Sequence, residues 1–135
     1  MKSLEIEASL QNLDQVLEFL EEQLFDAGCP MKTAMQLQLA AEEIFVNIAS
    51  YAYGSGTGTA RIQVEFEQAP RAVKVTFTDA GVPYDPLEKE DPDVTLSAAE
   101  REIGGLGIFI TKKSVDDISY EYREGKNILT LKKYY

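Results

Sequence analysis

The sequence predicts an α+β two-layer sandwich, a mixed and mostly antiparallel sheet with its helices on one face. Three observations predict it. Apolar and polar residues alternate in five short stretches, apolar residues recur at helical spacing in longer ones, and consecutive strand stretches are joined by short turns. A parallel pair would need a crossover of a dozen or more residues, whereas an antiparallel pair needs only a turn.

In residues 3–8, Leu4, Ile6 and Ala8 alternate with Glu5 and Glu7, the pattern of a half-buried strand. No hairpin partner adjoins it in sequence, which suits a sheet edge. From Asn12 the period becomes helical: Leu13, Val16, Leu17, Leu20 and Leu24 form one stripe, Asn12 and Gln15 suit a capping box, and Gly28 before Pro30 stops the helix. A second helix is expected from after Pro30 to about Tyr51, burying Leu37, Ala41, Ile44 and Ile48. Residues 54–58 are too short and polar to pack and read as a turn or flexible loop. Ala60, Ile62, Val64 and Phe66, then Val73, Val75 and Phe77, mark two strands around a turn at 68–71. Residues 83–102 hold three prolines and a run of acids without a period, and they read as a long polar loop with one helical turn near 97–101. After the glycines at 104–107, Ile108, Phe109 and Ile110 open a third helix that ends near Val115. Ile118, Tyr120 and Tyr122, then Leu129 and Leu131, form a closing hairpin around 124–127. No repeat or linker divides the chain, so residues 1–135 are expected to form one domain with a lid at about 83–103.

Composition narrows the function. At 135 residues, with 44% hydrophobic residues, the chain has enough apolar surface for a core without staples. Cys29 is the only cysteine, which excludes an intramolecular disulfide, and there is no histidine. Catalytic triads with a His base, imidazole acid–base chemistry, histidine phosphorylation and His-ligated metals are therefore excluded. Residues 1–100 hold 6 Lys+Arg against 18 Asp+Glu, and residues 101–135 hold 7 against 5. Such an acidic surface repels nucleic-acid phosphates, so no direct nucleic-acid partner is expected. No basic leader followed by an apolar stretch opens the chain and no run approaches ~20 apolar residues, so no membrane partner is expected and the location read from the sequence is cytoplasmic.

Three motifs carry chemistry. Glu43 and Asn47 stand four residues apart on the second helix, which places them within about 40° of each other around its axis. A carboxylate and an amide oxygen so placed suit a hard cation such as Mg²⁺, and the carboxylate can also polarise a hydroxyl; a solvated helix face accounts for the same spacing. Asp79 is in phase with Val73, Val75 and Phe77 and so points to the core side, where a carboxylate needs a donor. The exocyclic amine of adenine is one such donor, and a turn-capping role with Gly81 is the other reading. Gly104, Gly105, Leu106 and Gly107 lie directly before a helix, where close backbone approach and exposed amides favour phosphate; a hinge would use the same residues. No Gly-Lys-Ser/Thr follows and no strand precedes, so neither a Walker A loop nor a dinucleotide fingerprint is present.

In order and spacing, the Glu-xxx-Asn helix, the Asp79-Ala80-Gly81-Val82-Pro83 strand end and the Gly104-Gly105-Leu106-Gly107 cluster resemble the three boxes of the GHKL (Bergerat-fold) ATPases. Residues 39–47, 51–53, 79–86 and 100–108 resemble more narrowly the small anti-sigma-factor serine kinases of the RsbW type. The resemblance implies ATP and Mg²⁺ as cofactors, Glu43 as catalytic base, Asn47 as the Mg²⁺ ligand and Asp79 as the adenine ligand. It also implies that Gly81, Gly104, Gly105 and Gly107 shape the nucleotide pocket and lid. Amides at Gly105, Leu106 and Gly107 suit the phosphates, and Arg101, just before the glycines, is placed to reach them when the lid closes; a solvated loop residue is the other reading of Arg101. The activity implied is phosphorylation of a serine or threonine on an anti-sigma-factor antagonist of the STAS type, with a sigma factor as a further partner and a homodimer as the assembly. A nucleotide-dependent binding switch without transfer, or a bare ATPase, would use the same boxes. The family often has His where this chain has Tyr51, a position outside the motif ligands.

Overall fold

A computed structural model describes residues 1–88 and 105–135. It contains an α+β sandwich with five strands, β1 (Lys2–Glu7), β2 (Thr59–Glu67), β3 (Ala72–Asp79), β4 (Asp117–Arg123) and β5 (Lys126–Tyr134), and three helices, α1 (Leu13–Asp26), α2 (Met31–Asn47) and α3 (Gly105–Ser114). The strand order is β1-β2-β3-β5-β4 and every pairing is antiparallel, so the sheet is wholly antiparallel rather than mixed. β1 lies at an edge, as its isolation in sequence suggests.

Alternation decides the faces. Ile62 and Val64 of β2, Val73, Val75 and Phe77 of β3, and Leu129 and Leu131 of β5 turn inward against Val16, Leu20 and Leu24 of α1 and Leu37, Ala41, Ile44 and Phe45 of α2. The opposite face is polar, and on it Thr76 and Thr130 meet across β3 and β5 at 3.4 Å. These inward Val, Ile, Leu, Phe and Ala side chains are 0–6% exposed, which is where burial contributes most to stability.

Helix ends follow local chemistry. α1 closes in a Schellman motif: Gly28, at φ +72, donates to Phe25 O at 3.0 Å and Cys29 donates to Leu24 O at 3.0 Å, with Pro30 just beyond. Its start differs from the expected capping box. Ser9 caps a short 3₁₀ turn at Leu10–Asn12, and the Asn12 amide is drawn back to Glu7 O at 3.0 Å, so it caps nothing in α1. α2 runs to Asn47 and widens into a π turn at Ile48–Ala52. The β4–β5 turn has two residues, Glu124 and Gly125, both with positive φ (54 and 77), the geometry whose twist matches the flanking strands. α3 begins at Gly105, so Gly105 and Gly107, expected before it, lie in its first turn. Of the expected lid, residues 83–88 are described, with a 3₁₀ turn at Pro86–Glu88; the rest, including the helical turn near 97–101, lies outside the described residues. Among the described residues no helix is long and apolar enough to cross a membrane.

Candidate functional site

The C-terminal half of α2 supplies the first pair. Its buried stripe seats Ile44 in the core, which turns Glu43 and Asn47 sideways, half-buried, and Asn47 Nδ2 donates to Glu43 Oε1 at 3.3 Å. With the amide nitrogen committed to Glu43, the atom left on Asn47 for a cation is its oxygen. One hard protein oxygen suffices for Mg²⁺ when phosphates and waters fill its other positions, so the Asn47 oxygen fits this ion.

Asp79 ends β3 on its inward face and is 7% exposed. Its Oδ1 accepts from Gly81 N at 2.9 Å and from Asn127 Nδ2 at 2.9 Å. The turn-capping role is therefore present. Among the described residues both bonds converge on Oδ1, which leaves Oδ2 as the acceptor for a donor arriving from outside.

Asn127 is the residue that motif reasoning missed. It lies directly opposite Asp79 in the β3–β5 register and is 6% exposed. Its Nδ2 also donates to Val82 O at 2.9 Å, and its Oδ1 accepts from Tyr84 N at 3.1 Å and from the Tyr120 hydroxyl. Every donor and acceptor of the amide is thus used to fix Asp79 and the 82–84 loop at once. One signal was available: Asn127 is in phase with Leu129 and Leu131, the same parity that singles out Asp79. Burial pushes the Tyr120 phenol above its ordinary value, and the nearby Asp85 and Asp79 carboxylates add to the shift, so the hydroxyl is held as a donor.

These residues border one cleft. Asn47, Tyr51, Asp79, Tyr84, Tyr120 and Asn127 line it together with the apolar Ile44, Ile48, Phe77 and Leu129. A mainly apolar cleft whose described lining holds a single carboxylate, Asp79, suits a heteroaromatic ring bearing an amine.

Two glycines permit the close approaches around it. A Cβ on Gly81 would lie 2.1 Å from Ala52 O, the carbonyl at the end of the π turn, which accepts from Val82 N at 2.8 Å. A Cβ on Gly107 would lie 2.2 Å from Glu43 Cδ. The first turn of α3 therefore abuts the Glu43 carboxyl, and the amides of Gly105, Leu106 and Gly107 are among the first four of a helix, which have no partner within it. Tyr53 braces the same region, donating to Thr59 O at 2.6 Å and accepting from Ala80 N at 2.8 Å. The structure thus brings Glu43, Asn47 and Gly107 together, and holds Asp79 and Gly81 beside the π turn that continues α2. Arg101 and Gly104 lie outside the described residues.

A family model, the histidine kinase-like ATPase domain, matches residues 6–133. The chain belongs to this family. Among relatives of this histidine kinase-like ATPase domain, the serine/threonine-protein kinase BtrW of Bordetella bronchiseptica is 29% identical over 129 residues, covering 96% of this chain and 90% of the relative. The serine-protein kinase RsbW of Listeria monocytogenes is 27% identical over 110 residues, covering 78% of this chain and 69% of the relative. Solved structures share the fold. The RsbU and RsbW domains of a Mycobacterium tuberculosis protein superpose with a TM-score of 0.61 at 15% identity, covering 98% of this chain and 32% of that one. A histidine kinase domain from the blue-light activated kinase of Erythrobacter litoralis gives 0.56 at 18% identity, covering 78% and 46%. This chain thus spans a third to a half of the length of those two proteins. The kinase-like ATPase character of the domain rests on the family and on these relatives together.

Proposed function

We propose that this domain transfers the γ-phosphoryl group of Mg-ATP to a serine or threonine of a small partner protein. The observation that carries the reading is the placement of the Glu43 carboxyl against the N-terminal turn of α3, with Asn47 bonded to it one helical turn on. Phosphoryl transfer asks a protein mainly for positioning and charge neutralisation. Asp79 receives the adenine amine, held by Asn127. Asn47 holds Mg²⁺, which when bound neutralises charge between the phosphates. The amides of Gly105, Leu106 and Gly107, with Gly104 and Arg101 ahead of them, receive the phosphate oxygens, and Glu43 takes the proton of the attacking hydroxyl.

The relatives named serine-protein kinases support a protein hydroxyl as acceptor. The partner class is a STAS-type anti-sigma-factor antagonist, with a sigma factor as a second client. The test is transfer of radiolabelled phosphate to a set of purified STAS-domain proteins. Labelling of one of them on Ser or Thr, slowed about 10²–10⁴-fold by Glu43→Ala, is expected. Nucleotide binding without label on any candidate would favour a binding switch, and release of free phosphate alone would favour a bare ATPase.

A further inference from the structure

A second surface lies on the outer side of α1 and α2. Phe25 is 82% exposed, Met31 78%, Met35 60% and Leu39 58%, and all four line one groove between the two helices. Surfaces of monomers rarely leave a contiguous apolar patch of this kind without a role. Its margins are acidic. Glu21 and Glu42 line the groove, Glu18 and Glu22 stand beside Phe25, and across α1 and α2 there are seven acids against one base, Lys32.

We propose that this groove docks an amphipathic helix of a partner protein, one whose apolar stripe is flanked by Lys or Arg. The dimensions fit: Met31 to Glu42 spans about 16 Å along α2, about three turns of a guest helix. Two thioethers adapt to varied apolar side chains, and the recognition mode is a helix laid into a groove. Charge selects this occupant over others. A second copy seated here would bring the same carboxylates face to face, and an anionic lipid surface would be repelled by them. Among the described residues the groove shares none with the cleft at Asp79, so the proposal stands or fails independently of the nucleotide reading.

The test uses the full chain and a labelled helical peptide of about 18 residues with Leu at i, i+3, i+4 and i+7 spacing between Lys margins. A control peptide carries Glu in place of Lys. Fluorescence anisotropy should show saturable binding of the Lys peptide, at least about tenfold weaker for the Glu peptide and for Phe25→Ser combined with Met35→Ser. These two side chains are exposed, so the double variant should melt with the wild type. Glu21→Lys with Glu22→Lys provides a second variant, expected to reverse the preference between the peptides. Equal binding of the two peptides, or binding untouched by both variants, would overturn the proposal. So would a change from two chains to one in the Phe25/Met35 variant by light scattering, which would assign the groove to a second copy. Binding of neutral phosphatidylcholine vesicles that the same variant abolishes would assign it to a membrane and overturn it as well.

Discussion

The Cα of Gly107 faces the carboxyl group of Glu43 so closely that a methyl group built on it would lie 2.2 Å from Cδ and Oε1 and 2.4 Å from Oε2. The obstacle is the far end of a flexible side chain, which can swing away. Gly107→Ala should therefore leave stability within about 1 kcal/mol, because the usual gain of Ala over Gly in a helix offsets the displacement. Phosphate transfer should fall as far as it does in Glu43→Ala, about 10²–10⁴-fold. Combining the two changes should cost no more than either alone, since both remove one placed carboxylate. Additive losses would show that Gly107 acts on something other than Glu43.

Gly81 is the contrasting case. The atom nearest its added Cβ, 2.1 Å away, is the backbone oxygen of Ala52, and the next is that residue's carbonyl carbon at 2.5 Å. Neither can rotate aside, and the same oxygen is held by Val82 N. Gly81→Ala should destabilise the domain by about 1–3 kcal/mol, the range for overpacking. Chemical denaturation measures it, and a loss below that range would mean that the π turn yields easily.

The pattern of what was legible in the sequence follows the range of the interactions. Period-2 alternation marked all five strands, and the parity of Asp79 with Phe77 placed its carboxylate on the buried face, because these signals are local. The spacing of Glu43 and Asn47 likewise fixed their proximity on α2. The insertion of β5 between β3 and β4 was not legible, since it depends on a pairing between strands almost fifty residues apart, and neither was the Asp79–Asn127 bond it creates. Asn127 follows Gly125 and Lys126 closely and looked like part of a turn; the turn needs only Glu124 and Gly125. Asn12 fails as a cap for a similar reason, because its Nδ2 donates to Glu7 O, beyond the helix, and the side chain is drawn away from the α1 amides.

Tyr120 gives the site a dependence on alkaline pH. Burial raises the phenol in the folded chain above its ordinary value of 10.0, so the folded state holds the proton more tightly than the unfolded state. The stability this contributes is complete below pH 10 and is lost as pH rises through the raised value. Tyr120→Phe should cost about 1 kcal/mol at neutral pH, through loss of the bond to Asn127, and should show a smaller further loss above pH 10 than the wild type. Denaturation profiles of the two proteins at pH 8 and 11 compare them, and parallel profiles would remove Tyr120 from this role.

Assembly is predicted from β1. It forms one edge of the sheet and is paired on its inner side to β2 alone among the described strands. Acids at an edge repel a partner strand, but Glu5 is engaged at 2.7 Å by Arg61, opposite it on β2, which neutralises one of the two. A dimer through β1 is expected, with light scattering at micromolar concentration giving a mass near two chains. A mass of one chain, unchanged by nucleotide, would restrict β1 to its contacts with β2.

The central claim is that adenine recognition at Asp79 and proton transfer at Glu43 are separate tasks within one nucleotide site. Calorimetry of Mg-ADP binding tests it most directly. The wild type should take up nucleotide at one site per chain, and Glu43→Ala should bind nearly as well. Asp79→Asn should bind more weakly by about 1.5–3 kcal/mol through loss of a charge-assisted hydrogen bond, while its amide oxygen still accepts from Gly81 and Asn127 and preserves the fold. No binding heat from the folded wild type, or equal losses in the two variants, would contradict it.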